Sequence, residues 1–210
     1  ELEKKIFVIH QSSQVSKLQK NRRKIGNDIS VLMIGNIRRE KDQLTGINGF
    51  NNLFKNLKMK SLHKVFLTHI GYDLNRGYAN IVKKSAKKNK QIKFLGFVNH
   101  KKTMELLLKS DLFLNTSIIE GSCLALKEAI DSRIPVLVSD NPCHMTILGD
   151  NYPGFFKTRK KDDLTKKLTM FIKRRELRKK WREKILKSPV FDYKRKNEEE
   201  LIREVVSKLT

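Results

Sequence analysis

Cysteine is scarce in this sequence: Cys123 and Cys143 are the only two among 210 residues. That excludes a disulfide framework and fits a reduced, cytoplasmic interior. No apolar run approaches the ~20 residues a membrane span requires, and no secretory leader is visible. The five histidines (His10, His63, His69, His100, His144) lack the ligand spacing of a zinc site. Acids are few, 22 Asp and Glu against 46 Lys and Arg, which leaves a formal charge of +24. No G-x-G-x-x-G follows the first strand-like run, which argues against an enzyme built on a dinucleotide.

What is present is enough for a sizeable core, since 39% of the residues are hydrophobic. The positive charge admits two readings: attraction to polyanions such as nucleic acid, anionic lipid or phosphorylated substrates, or lysine-rich solvated helix faces. The cations are spread along Lys83–Lys90, Lys157–Lys167 and Arg174–Lys187, mostly in helical patterns and without interleaved aromatics. This pattern disfavours nucleic acid and favours a solvated surface, with peripheral contact to the inner face of an anionic membrane as a further expectation.

Short β-branched runs alternate with amphipathic stretches. Strands are expected at Ile29–Gly35, Lys64–Ile70, Ile92–Leu95, Leu112–Asn115, Pro135–Val138 and Gly154–Phe156. Helices are expected near Asp42–Lys58, Leu74–Asn89, Lys101–Lys109, Ser122–Asp131 and Lys161–Ile172. This alternation predicts an α/β fold with a doubly wound parallel sheet, Rossmann-like, followed by extra carboxy-terminal helices. Residues 1–28 read as a connector, 29–187 as the Rossmann-like domain, and 188–210 as a last helix with Leu201, Val205 and Leu209 on one face. The chain opens on ELEKKIFVIH, which gives the expectation of a chain entered part-way. In such sheets ligands bind beyond the carboxyl ends of the strands, so the loops Gly35–Lys41, Ile70–Asn75, Gly96–His100, Asn115–Ser122 and Ser139–Thr146 carry the function.

One of these loops opens the segment NTSIIEGSCLALKEAIDS, where Glu120 and Glu128 stand eight residues apart. At about 1.5 Å per helical residue that is ~12 Å, the span of a sugar and a ribose joined by a diphosphate. The backbone N–H groups of Ser122, Cys123 and Leu124 are expected at a helix start, where donors and dipole favour a phosphate or a sugar hydroxyl. Glu128 lies among Leu124, Leu126 and Ala129, so a ligand or a basic partner has to satisfy it. The alternative is that Glu128 pairs with a neighbouring Lys or Arg and Glu120 merely lies in a loop. Cys123 is tied to no base by the sequence and serves packing as readily as nucleophilic chemistry. His69 and His144 stand near strand-end loops, either touching ligand or capping.

The segment SIIEGSCLALKEAIDSRIPVLVSD resembles the signature of retaining glycosyltransferases of the two-domain GT-B type, family 4, in their carboxy-terminal half. The matching positions are Ser117, Glu120, Gly121, Glu128 and Pro135–Val136. IGNIRREKDQL resembles that family's first loop: Lys41 falls six residues after Gly35, but Asn36 stands where an Arg is usual, leaving Arg38 or Arg39 to supply the second cation. FLGFVNHKKTMELLLKSDLFLNTS resembles the segment whose loop meets the nucleobase, here through Phe97 and Val98. IRREKD, LTHIG and ILGDNYPGFF further resemble the transferases that form a selenosugar intermediate.

The resemblance implies a donor-binding half that takes a nucleotide sugar, UDP-linked, without metal or other cofactor. Lys41, Arg38 and Glu120 would be catalytic. Glu128, Ser117, Gly121, Ser122, Cys123, Leu124, Gly35, Phe97 and Val98 would bind the donor. The acceptor would lie on an amino-terminal domain, onto which the last helix docks, and residues 1–210 alone would turn over little. The competing expectation is a non-catalytic basic module for membrane or nucleic acid on the same fold.

Overall fold

A computed structural model describes residues 28–56, 64–188 and 198–207. Six strands form one parallel sheet in the order β3-β2-β1-β4-β5-β6. They are β1 (Ile29–Ile34), β2 (Val65–Ile70), β3 (Ile92–Phe94), β4 (Leu112–Asn115), β5 (Val136–Ser139) and β6 (Phe155–Phe156). The helices are α1 (Gln43–Asn56), α2 (Arg76–Ala86), α3 (His100–Leu108), α4 (Leu124–Asp131), α5 (Pro142–Leu148), α6 (Lys161–Lys173), α7 (Arg175–Ile185) and α8 (Glu198–Ser207). The predicted doubly wound α/β fold is thus present.

The central strands β1, β4 and β5 are covered on both faces, as their near-continuous apolar runs require, while at the β2–β3 edge Phe66 and Lys93 stay exposed. Alternate residues feed two cores. Val31, Met33, Leu67, Leu114 and Leu137 face one side, packed by Phe50, Val82 and Phe171 from α1, α2 and α6. Leu32, Phe113, Val136 and Val138 face the other, packed by Leu107, Leu126 and Ile147 from α3, α4 and α5. Gly49 lets α1 and α6 approach closely, because a Cβ there would stand 2.7 Å from Leu164. Phe156 is buried as expected for a core aromatic, whereas its neighbour Phe155 is only partly covered.

The strands lie within a residue or so of their predicted bounds. Two helical features differ from the prediction, while the charged helical tail is present as expected. The expected loop Ser139–Thr146 contains the start of α5, which Asn141 caps by accepting from His144 N–H and which has Pro142 in its first turn. The expected helical tail is α7, on which Arg178 donates from Nε to Phe171 O (2.9 Å) and from Nη2 to Ile172 O (2.7 Å), capping the end of α6. Helix α4 starts at Leu124, two residues later than predicted. The connector over residues 1–27 and much of the last-helix face, Leu201 and Leu209 included, lie outside the described residues or side chains; Val205 is half-buried while Ile202 and Val206 are exposed.

The ladder continues one residue past β1 and β2 through glycines. Gly35 N–H donates to Ile70 O and Gly71 N–H to Gly96 O, both at 2.9 Å. Both residues have positive φ, +145° and +144°, and a Cβ on Gly71 would fall 2.3 Å from Gly35 O. Only glycine permits that crossing, and there the chain turns off the sheet into the loops that carry the site.

Candidate functional site

The strand order reverses between β1 and β4, and at that point the loops after these strands are hydrogen-bonded together. Ile118 N–H donates to Glu40 O (2.8 Å), and Thr116 Oγ1 donates to Lys41 O (3.0 Å). The stitching places Lys41, at the end of a 3-10 turn (Arg39–Lys41), against Glu120. Lys41 Nζ donates to Glu120 Oε2 at 2.6 Å. Glu120 Oε1 accepts from Ser117 Oγ at 2.6 Å and from Asn115 Nδ2 at 3.1 Å. The carboxylate side chain is 5% exposed and the lysine 20%. Burial alone would raise the Glu120 carboxyl, but the hydrogen bonds from Lys41, Ser117 and Asn115 outweigh it and hold it below the ordinary range.

Behind Glu120 lies a second polar group. Cys123 is the N-cap of α4, in left-handed conformation (φ +46°) and without a side-chain cap. Its Sγ lies 3.4 Å from Asn115 Nδ2 and 3.5 Å from His144 Nε2. His144 Nδ1 donates to Ser139 O at 2.8 Å, which leaves the Nε2 lone pair facing the thiol. Burial drives the Cys123 thiol strongly upward and the His144 imidazole downward, so the pair is a neutral thiol and a neutral imidazole, not an activated thiolate. The sequence tied no base to Cys123; the fold supplies one from α5, 21 residues downstream.

The first turns of α2, α3 and α5 are capped by Asn75, Asn99 and Asn141, each accepting a main-chain N–H. At α4 the N-cap residue Cys123 makes no side-chain cap bond, which leaves the N–H groups that open the helix, from Cys123 to Ala125, without that partner. The expected donor set at Ser122, Cys123 and Leu124 is therefore shifted by about one residue, with Ser122 on the exposed bend before the helix. It also follows that helical rise does not set the separation of Glu120 and Glu128, because only the second half of that interval is helical.

Glu128, on α4, is buried as predicted, and its Oε1 meets His100 Nε2 at 2.8 Å. His100 opens α3 in the loop that also carries Phe97 and Val98, so the contact joins two loops expected to bind the donor. Phe97 is exposed and stacks on Tyr72 with centroids 4.6 Å apart; Val98 is half-buried in the α3–α5 core. Arg38 points to Glu40 (Nε–Oε1 3.3 Å) at the surface, and the Arg39 guanidinium lies 5.8 Å above the Tyr78 ring. Neither reaches Glu120. Asn36 instead ties the first two loops together, its Oδ1 accepting Tyr72 N–H at 2.9 Å. A guanidinium, which has only donors, could not make that bond.

The expected residues are not all gathered in one enclosed cavity. Lys41, Gln43, His69, Asn115 and Ser117 border a void of about 10 Å³ under the first loop, room for a single water. A separate cleft of about 800 Å³ lies at the loops after β2 and β3, lined by Gly71, Tyr72, Arg76, Lys83, Gly96 and Phe97. His69, at the end of β2, is buried against Phe94, and burial pushes its pKa down to about 4, so it is a neutral group beneath the loop. The sequence pattern did not mark Asn115, His100 and Asn36 as organisers of the site; the Asn that ends β4 was the available signal for the first of them.

The sequence model described as Glycosyl transferases group 1 matches residues 4–188, and the chain belongs to that family. The fold is that of GT-B glycosyltransferase domains. The catalytic domain of cholesterol-alpha-glucosyltransferase from Helicobacter pylori superposes with a TM-score of 0.63 at 19% identity, over 79% of this chain and 98% of that one. The carboxy-terminal domain of the group 1 family protein LpcC from Francisella tularensis gives 0.65 at 21%, over 75% and 82%. The alpha,alpha-trehalose-phosphate synthase (UDP-forming) from Burkholderia vietnamiensis gives 0.73 at 13%, over 87% and 45%. The chain thus spans less than half the length of that synthase. None of the curated proteins compared matches it. Among the described residues no helix is long and apolar enough to cross a membrane.

Proposed function

We propose that this domain is the donor-binding half of a retaining glycosyltransferase that moves a hexose from a nucleoside-diphosphate sugar, UDP-linked, to an acceptor held by an amino-terminal α/β domain. The observation that carries the reading is the contact of Lys41 with Glu120 across the β1/β4 switch point, the place where open α/β sheets take their ligands. Breaking the anomeric C–O bond leaves negative charge on the departing diphosphate, and a fixed cation in a partly dried site stabilises it better than water does. Lys41 Nζ moves from Glu120 to the diphosphate. The released carboxylate accepts hydroxyl hydrogens of the hexose, with Ser117 and Asn115 holding its orientation. The uncapped N–H groups of α4 add donors for phosphate or hydroxyl. Arg38, free to leave Glu40 at the surface, adds a second cation, and together they supply what a divalent metal supplies in other transferases. Glu128, placed by His100 beside the Phe97–Val98 loop, takes the ribose.

Uridine is favoured by the UDP-forming description of the Burkholderia synthase and by the family-4 pattern around Glu120. The narrower selenosugar likeness rests on loop phrases that do not select a sugar, and the donor is left as a hexose. The test is calorimetry of the 210-residue chain with UDP: Lys41→Ala and Glu128→Ala each weaken binding by about 1–3 kcal/mol, as lost charged hydrogen bonds do. Equal affinity in all three proteins contradicts the reading.

A further inference from the structure

We propose that Glu120, Cys123 and His144 form a binding site for a thiophilic divalent cation of the zinc type, which takes Glu120 away from Lys41. Among the described residues these three side chains alone group in this way, with ligand atoms all within 4.8 Å of one another. Tetrahedral zinc with bonds of about 2.0–2.3 Å sets its sulfur and nitrogen ligands about 3.5 Å apart. Cys123 Sγ and His144 Nε2 already stand 3.5 Å apart, so only Glu120 has to close in. The outer contacts are also in place. Ser139 O fixes the imidazole with its Nε2 lone pair inward (2.8 Å), and Ser117 Oγ holds Glu120. Such outer partners are what orient metal ligands.

Charge decides whether a buried ion can stay. Now a neutral thiol, a neutral imidazole and the Lys41–Glu120 pair sum to zero. With the ion bound, the Cys123 S–H proton leaves to solvent and the thiolate and carboxylate balance the two positive charges, while Lys41, the most exposed member, turns to water. The buried group is neutral in both states, so no unpaired charge is stranded. The exposed Gly121–Ser122 bend, open around Gly121, offers the way in. The three ligands leave a fourth position for water. None of this spacing shows in the sequence, since the ligands come from the β4 loop, the cap of α4 and the first turn of α5.

The test is a titration of the full chain with Zn²⁺ alone, and with Co²⁺ followed by absorption. Expected are one ion per chain, a near-ultraviolet thiolate-to-cobalt band in the wild-type protein, and affinity that rises with pH as one proton is released. Cys123→Ser abolishes the band and weakens zinc at least thirtyfold; His144→Ala weakens it similarly; Cys143→Ser changes it less than twofold. Lys41→Met removes the competing cation and tightens zinc severalfold. Absence of the cobalt band in folded wild-type protein, or a band that survives in Cys123→Ser, overturns the site, and so does zinc binding that Lys41→Met weakens. That the ion blocks glycosyl transfer rests on the functional reading above; the titration does not, so the two fail separately.

Discussion

At the scale of single residues, the site holds its charges in reserve. Lys41 and Glu120 neutralise one another, while His69 and His144 are kept uncharged by burial. The histidines make stability depend on pH with a definite sign. An unfolded His69 binds a proton below about pH 6.5, whereas the folded one does so only near pH 4. Between these values the unfolded chain carries more protons, so stability falls as pH drops through this window, by ~3 kcal/mol from His69. His144 acts in the same direction. Urea unfolding from pH 7.5 to 4.5 should show this slope, and His69→Phe, which keeps packing against Phe94, should remove the larger part of it. An unchanged slope in the variant would contradict the burial argument. Glu120 and Asp140, held low by their partners, contribute only on further acidification.

At the scale of elements, the glycine crossing of the first two loops holds the cation loop in register. Gly71→Ala would drive a methyl group into the Gly35 main chain at a positive φ, and should cost about 2–4 kcal/mol in thermal or chemical unfolding. Gly121→Ala, in open space, should stay within ~0.5 kcal/mol; equal effects would contradict the crossing. The same scale shows what the sequence made legible. Central strands such as ISVLMI and LFLN are largely apolar on both faces because helices cover both sides there, and the strand bounds could be read to a residue or so. Helix α5 was missed because seven residues give too little periodicity to outweigh a loop-like Asn-Pro start. Glu120 and Lys41 were legible as a motif, but their contact was not, since it depends on β1 and β4 lying side by side. The partners of Glu128 and Cys123 were hidden for the same reason: His100 and His144 come from other helices, and no local spacing encodes that.

At the scale of the whole molecule, a net charge of +24 draws any anion toward this surface. Attraction of that kind fades beyond a Debye length of about 8 Å at physiological salt. A diphosphate bound through Lys41, as proposed, would instead have to displace Glu120 from a contact of 2.6 Å, a local competition that salt screens far less. The measurement that tests this most directly is the affinity of UDP, which carries no hexose, for Glu120→Gln against the wild-type chain at two salt concentrations. The account predicts binding about threefold to tenfold tighter in the variant, worth ~1 kcal/mol, with the ratio kept at high salt. Equal or weaker binding in Glu120→Gln would mean that the diphosphate does not take Lys41 from Glu120, and would contradict the central claim.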